Sequence, residues 1–249
     1  MAAFVLVHGA WHGGWCWERV APLLEAAGHR VLAPDLLGMG SDPTPLAEVT
    51  LARWAAQIAG LVQAQTEPVI LVGHSRAGIV ISEAAERVPD RIARLVYLTA
   101  FLLPDGATMA GASTPERDAR RRLFVRPGPG NTSTVAPDYV GPVYYNTTPA
   151  EWVERAASRL TPEPMVVFTT PLRISAERFG RVPRAYIECA QDRSISLEMQ
   201  HSFQAALPCD PVITLETDHS PFYSAPEKLA EALQTIARAR CDQTEPSDR

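Results

Sequence analysis

Ser75 is the residue around which a reaction can be assembled. It stands in Gly73-His74-Ser75-Arg76-Ala77-Gly78, between the apolar run Pro68–Val72 and a helical stretch over Ala77–Arg87. The segment is read as a nucleophile elbow of the G-x-S-x-G kind: a sharp strand-to-helix turn lifts the hydroxyl above the sheet edge and leaves no room for side chains at the glycines. The following helix aims its N-terminus at that hydroxyl, where free N–H groups favour developing negative charge. A serine hydroxyl is a weak nucleophile and needs a base. Behind such an elbow the partners follow in the order serine, acid, histidine. Of the six histidines, only His201 and His219 come after Ser75. His201 falls mid-helix, whereas His219 lies in Thr217-Asp218-His219-Ser220-Pro221, beyond a strand ending at Leu215, so His219 is the expected base. Asp192 directly follows the apolar run Arg184–Cys189 and is the expected acid, holding the imidazole in one tautomer. Asp105 is the second candidate, and Asp218, next to the histidine, reads as a turn residue.

Acyl chemistry of this kind also needs two preorganised donors for an oxyanion. The backbone N–H of Arg76, next after the nucleophile, is one. The other is expected from the loop His8-Gly9-Ala10-Trp11-His12-Gly13-Gly14, most directly the N–H of Ala10. The side chains of His8 and His12 read as supports of that loop. They are not metal ligands, because no partner His, Asp or Glu stands at helical spacing from them.

Strand and helix signals alternate along the chain in a way that would position these groups. Ala3–Val7, Arg30–Ala33, Pro68–Val72, Ile92–Phe101, Arg184–Cys189 and Val212–Leu215 read as strands. Trp15–Ala27, Leu51–Gln63, Ala77–Arg87, Leu197–Leu207 and Pro226–Ala239 read as helices, the first stopped by Gly28. This order predicts an α/β fold with a mostly parallel sheet of about six strands flanked by helices. Residues 1–103 and 174–240 would form the core, residues 104–173 an inserted cap with helical pieces near Pro115–Leu123 and Pro149–Leu160, and residues 241–249 a frayed polar tail. Ligands of such folds sit at the carboxyl ends of the strands, where Ser75, Asp192 and His219 all fall.

Composition narrows the classes. The chain has 249 residues, is 46% hydrophobic and carries a net charge of −5, which suits one large globular domain and argues against disorder and nucleic-acid binding. The basic run Arg120-Arg121-Arg122, interleaved with Glu116 and Asp118, reads as a solvated helix face and not as a phosphate site. No run of 18 apolar residues exists to span a membrane, and the N-terminus lacks the features of a signal peptide. Cys16, Cys189, Cys209 and Cys241 lack zinc-site or disulfide-framework spacing and read as reduced thiols of a cytoplasmic protein. Neither a metal nor an organic cofactor is called for. The oligomeric state stays open, with a homodimer as one candidate.

The stretches Phe4–Trp17, Val69–Ser75, Glu177–Gly180, Tyr186–Asp192 and Asp218-His219 make the chain resemble the α/β-hydrolases of the plant methylesterase and hydroxynitrile lyase group and their bacterial esterase relatives. The resemblance runs from residue 4 to about 235. It implies a helical and hairpin cap over Ser75 and a small-molecule ester as substrate, small or aromatic, a methyl ester among the candidates. Cap and loop residues Trp11, Phe124, Tyr139, Tyr144, Tyr145, Trp152, Met165 and Phe168 are candidates for the pocket wall. Two departures stand out. An apolar residue usual after the serine is replaced by Arg76, whose side chain either forms a salt bridge below the turn or faces an anionic substrate group. The lyases carry a lysine just after the histidine and a hydroxyl residue in the oxyanion loop; Ser220 and Ala10 occupy those positions here, and Lys228 is the chain's only lysine. Cyanohydrin cleavage is therefore disfavoured. Thioester cleavage, acyl transfer or cyclisation would use the same triad, and so would a slow-turnover ligand receptor.

Overall fold

The computed structural model describes residues 1–238; the tail 241–249, Cys241 and the expected helix end at Ala239 lie outside the described residues. Six strands, β1 (Ala3–Val7), β2 (Arg30–Leu32), β3 (Val69–His74), β4 (Ile92–Leu98), β8 (Arg184–Cys189) and β9 (Val212–Leu215), form one sheet in the order β2-β1-β3-β4-β8-β9. Every pairing in it is parallel. β1 and β3 are buried along their whole length, which is why both read as unbroken apolar runs.

Handedness places the helices. The chain steps from β1 outward to β2 and then back across β1 to β3. Right-handed crossovers therefore put α1 (Ala21–Ala26) on one face and α2 (Leu51–Gln63) and α3 (Ala77–Arg87) on the other. The packing agrees: α2 lies against α3, and α1 against the last helix, Pro226–Arg238. The strand order reverses between β1 and β3, so the loops leaving these two strands open the crevice of the sheet. Those are the loops that carry Ala10 and Ser75.

Three local expectations shift. The helix expected over Trp15–Ala27 is split into a tight turn at Gly14–Trp17 and the helix Ala21–Ala26. Pro22 accounts for this, since a residue without an N–H suits a first turn but interrupts a helix running through it. β2 is shorter than expected and stops before Pro34. β4 ends at Leu98 and not Phe101, because Thr99 takes a positive φ of 35°, while its N–H still bonds to the Ile187 carbonyl of β8 at 2.8 Å.

Between β4 and β8 the chain builds a second, smaller layer over the carboxyl edge. It contains α4 (Pro115–Phe124), an antiparallel sheet of β5 (Val125–Gly128), β6 (Thr132–Val135) and β7 (Glu163–Pro164), and the helix Ala150–Ala157. Thr114 caps α4 by accepting the Arg117 N–H. The layer is clasped to the core from one side by Glu18, which accepts from Arg155 at 2.6 Å through both carboxylate oxygens and from Arg159 at 3.1 Å. From the other side Asp218, fully buried, accepts from the Thr147 N–H and the Thr148 hydroxyl.

Two glycines test the packing with opposite signs. A Cβ on Gly78 would lie 2.1 Å from the Phe101 carbonyl oxygen, so Gly78→Ala forces α3 away from the loop after β4. We expect it to cost about 2 kcal/mol or more. Gly60, exposed within α2, has nothing within 4 Å of the same position, and Gly60→Ala is expected to raise stability by up to about 1 kcal/mol. Urea denaturation of both variants checks the pair; equal effects would contradict the packing described.

Candidate active site

Ser75 sits on the turn between β3 and α3 with a φ of +54°, a left-handed conformation rare for a residue with a side chain. Backbone bonds to the end of β4 hold that strain: Ser75 N–H donates to Leu98 and Phe101 N–H to Ser75. Counted residue by residue, the turn reads G-x-S-x-A-G. Ala77 stands where the motif has its second glycine, and the position without space for a Cβ is Gly78.

The structure brings Ser75, His219 and Asp192 together. Ser75 Oγ lies 3.0 Å from His219 Nε2, and His219 Nδ1 lies 2.6 Å from Asp192 Oδ2. An ionised carboxylate only accepts, so Nδ1 carries the proton and Nε2 presents its lone pair to the serine hydroxyl. Asp192 is itself held: Oδ1 accepts the N–H groups of Ser194 and Ile195, and Oδ2 accepts the Thr99 hydroxyl at 2.5 Å. The His219 carbonyl is 2.8 Å from His74 Nε2. The other candidates lie elsewhere. His201 is exposed beside Glu188, Asp105 accepts the Ile174 N–H, and Asp218 serves the cap.

Ala10 and Arg76 both line the cavity above Ser75. The first bonds of α3 are Gly78 N–H to Ser75 and Ile79 N–H to Arg76, so the N–H groups of Arg76 and Ala77 precede the helical ladder. Gly9 lets the neighbouring loop come this close: a Cβ there would lie 2.7 Å from His74 Nδ1 and 3.0 Å from Ser75 Cβ. The Arg76 side chain is fully buried and runs beneath this loop. Its Nε donates to Glu163 at 2.8 Å, its Nη2 to the Gly9 carbonyl at 2.9 Å, and its guanidinium lies 4.2 Å over the Trp54 ring. Glu163, also fully buried, accepts the Trp11 N–H at 3.0 Å through its second oxygen. Gly9 C=O and Ala10 N–H belong to one trans peptide, so anchoring the carbonyl on one side sets the N–H on the other. Of the two roles open to the Arg76 side chain, the structure shows the salt bridge. Its partner Glu163 carries no spacing signal in the sequence.

The cavity above Ser75 has a volume of about 570 Å³. Of the residues expected in its wall, Trp11, Phe124, Tyr144 and Phe168 line it, and the Tyr144 ring stands 5.6 Å from that of His219. Four others do not. Met165 borders an adjacent smaller cavity. Tyr145 is 2.5 Å from His12 Nε2 and props the loop after β1. Trp152 packs on Tyr223 beneath Arg19, and Tyr139 lies on the outer side of Phe124. The run Arg120–Arg122 is not a uniformly solvated face either: Arg120 and Arg121 line the cavity with Arg117, and Arg121 is only half-exposed. Helical spacing of 117 and 121 is the signal that could have separated them from Arg122. Among the described residues no three His, Cys, Asp or Glu side chains gather as a metal-holding group, and no helix is long and apolar enough to cross a membrane.

Buried histidines surround the site. His8 donates from Nδ1 to the Gly9 carbonyl and accepts the Leu36 N–H at Nε2, and burial with Arg76 nearby pushes its pKa down to about 3. Burial pushes His12 down to about 4 and His74 well below the ordinary value of 6.5. All three are neutral when folded, and their stabilising contribution is complete above pH 6.5. It is lost as pH falls from there toward the folded values, because only the unfolded chain takes up the protons. Together they are expected to remove up to about 4 kcal/mol per pH unit below 6.5. Melting temperatures between pH 8 and 5 check this, and a flat profile would contradict it.

Known proteins resemble this chain over nearly its whole length. Residues 4–232 match the model of the alpha/beta hydrolase family. The chain is 35% identical to methylesterase 2 of Arabidopsis thaliana, over 96% of this chain and 97% of that one. It is 34% identical to a pyrethroid hydrolase of Sphingobium wenxiniae, over 94% and 87%. Among solved structures, a pyrethroid hydrolase of Sphingobium faniae superposes with a TM-score of 0.86 at 32% identity, covering 97% of this chain and 99% of that one. With its parallel sheet, its serine elbow and a match spanning nearly its whole length, the chain belongs to the alpha/beta hydrolase family.

Proposed function

We propose that this chain is a carboxylic ester hydrolase acting through an acyl-serine intermediate. The observation that carries the reading is the continuous chain of contacts Ser75 Oγ, His219 and Asp192, at 3.0 and 2.6 Å, opening into a cavity of about 570 Å³. The methylesterase and pyrethroid hydrolase relatives support an ester substrate, small or aromatic, with methyl esters among the candidates.

Ser75 Oγ attacks the acyl carbon while His219 Nε2 takes its proton. The carbonyl oxygen becomes an oxyanion held by the N–H groups of Ala10 and Arg76. His219 returns the proton to the departing alcohol, leaving the acyl group on Ser75. Water, deprotonated by the same imidazole, then releases the carboxylic acid. Asp192 keeps Nδ1 protonated and stabilises the imidazolium, and the Thr99 hydroxyl keeps Asp192 in place. The thiols of Cys16, Cys189 and Cys209, free of disulfide, support a cytoplasmic setting.

Ser75→Ala, His219→Ala and Asp192→Asn are each expected to lower kcat by roughly 10⁴-fold or more, with the double variants little worse than the singles. Initial rates on p-nitrophenyl acetate and a panel of methyl esters measure this. An Asp192→Asn variant with normal turnover, beside a dead Asp105→Asn, would move the acid to the earlier strand. Release of one slow equivalent of product without turnover would identify a receptor and not an enzyme.

A further inference from the structure

The cavity that holds Ser75 is charged against the sign of the whole protein. The chain carries −5 overall, yet Arg117, Arg120, Arg121 and Arg193 line this one cavity, against Glu116 and Glu198. Glu116, Glu198, Arg120 and Arg193 are exposed and form its rim. Arg117 and Arg121 are half-buried, one turn apart on α4, and belong to the wall.

Neither wall arginine has an ion-pair partner among the described residues. Arg117 bonds to neutral groups, the Ser194 carbonyl through Nε at 3.2 Å and the Ser113 hydroxyl through Nη1 at 3.3 Å. The nearby carboxylate of Asp118 accepts the Ser113 hydroxyl and acts on both arginines through space without pairing with either. The Arg121 side chain makes no hydrogen bond among the described residues; its guanidinium lies 4.6 Å over the Phe168 ring, and its Nη2 is buried without an acceptor. A buried guanidinium nitrogen left unpaired is costly, which is why such groups are normally matched by a carboxylate. Tyr144 connects these arginines to the reacting groups. Its ring packs against His219, and it lines the same cavity as Arg117 and Arg121. Phe101, Met109, Phe124 and Phe168 give the same cavity apolar surface, beside the hydroxyl-bearing Thr114, Ser194, Ser196 and Ser202.

We infer that Arg121, assisted by Arg117, is the binding site for a carboxylate carried by the ester substrate, so that the preferred substrates are monoesters of dicarboxylic acids. A planar carboxylate suits the guanidinium fork. The apolar side chains Phe101, Met109, Phe124 and Phe168 and the acidic rim residues favour an organic monoanion over a doubly charged phosphate. The reaction assumed is the ester hydrolysis proposed above; the ligand class rests on the cavity alone.

Binding can be measured without turnover. The Ser75→Ala protein is titrated by calorimetry with the monomethyl esters of succinic, adipic and terephthalic acid, each against the neutral carboxamide of the same shape. The carboxylate is expected to bind about tenfold or more tightly than its amide for at least one pair. That preference should shrink as salt is raised and fall toward unity in Ser75→Ala/Arg121→Gln. Circular dichroism confirms that this variant is folded, and Arg117→Gln provides a second. Equal or better binding of the amide in all three pairs would overturn the inference, and so would a preference that survives both arginine substitutions. A stronger preference for a phosphate monoester of matching size would replace the carboxylate by a dianion. Wild-type hydrolysis of the neutral amide-bearing esters reports separately on the ester reading, so failure of one is not mistaken for failure of the other.

Discussion

A buried ion pair ties together three parts of the molecule that are remote in sequence. Arg76 belongs to the serine elbow, Gly9 and Trp11 to the loop after the first strand, and Glu163 to the cap. Burial works against both charges, lowering Arg76 and lifting Glu163 from their ordinary pKa values. A pair of this kind is a poor source of net stability, but breaking it leaves a charge stranded in the interior. Its consequence here is geometric. One guanidinium holds the carbonyl of the peptide whose N–H is Ala10, one carboxylate holds the next N–H along, and the cap cannot lift without disturbing either.

The same loop is bound from the cap at two further points. The Trp11 indole donates to the Ser133 carbonyl at 3.1 Å, and the Trp11 carbonyl accepts the Thr161 N–H at 2.9 Å. Trp11 is held there at a φ of +62°, so the loop, like the elbow, keeps an unfavourable backbone conformation under several constraints. Preorganisation of this sort lets donors act on an oxyanion without moving during the reaction. Around it, three neutral histidines supply directional hydrogen bonds without adding charge beside His219.

Much of this was legible from residue type and order alone. Ser75 declares itself through its strand-to-helix setting, His219 through elimination by chain order, and Asp192 through its place just past an apolar strand. Each is signalled locally, and the parallel sheet does the rest by bringing strand ends to one edge. What the sequence hid depends on contacts across long separations. Glu163 lies in Thr161-Pro162-Glu163-Pro164, which looks like exposed loop until the cap sheet folds it onto Arg76. Thr99 meets Asp192 only because β4 and β8 are neighbours. Aromatic residues of the cap could be counted but not sorted, since Tyr144 and Tyr145 are adjacent and face different tasks. One reaches the cavity, the other props His12.

All of these contacts converge on one oxygen atom, and that atom can be interrogated chemically. Incubation of the intact protein with a fluorophosphonate, followed by peptide mapping in a mass spectrometer, should find a single phosphonylated residue, Ser75, with labelling abolished by His219→Ala. Modification at any other serine, or undiminished labelling of Ser75 without the imidazole, would show that the three side chains do not work as a unit.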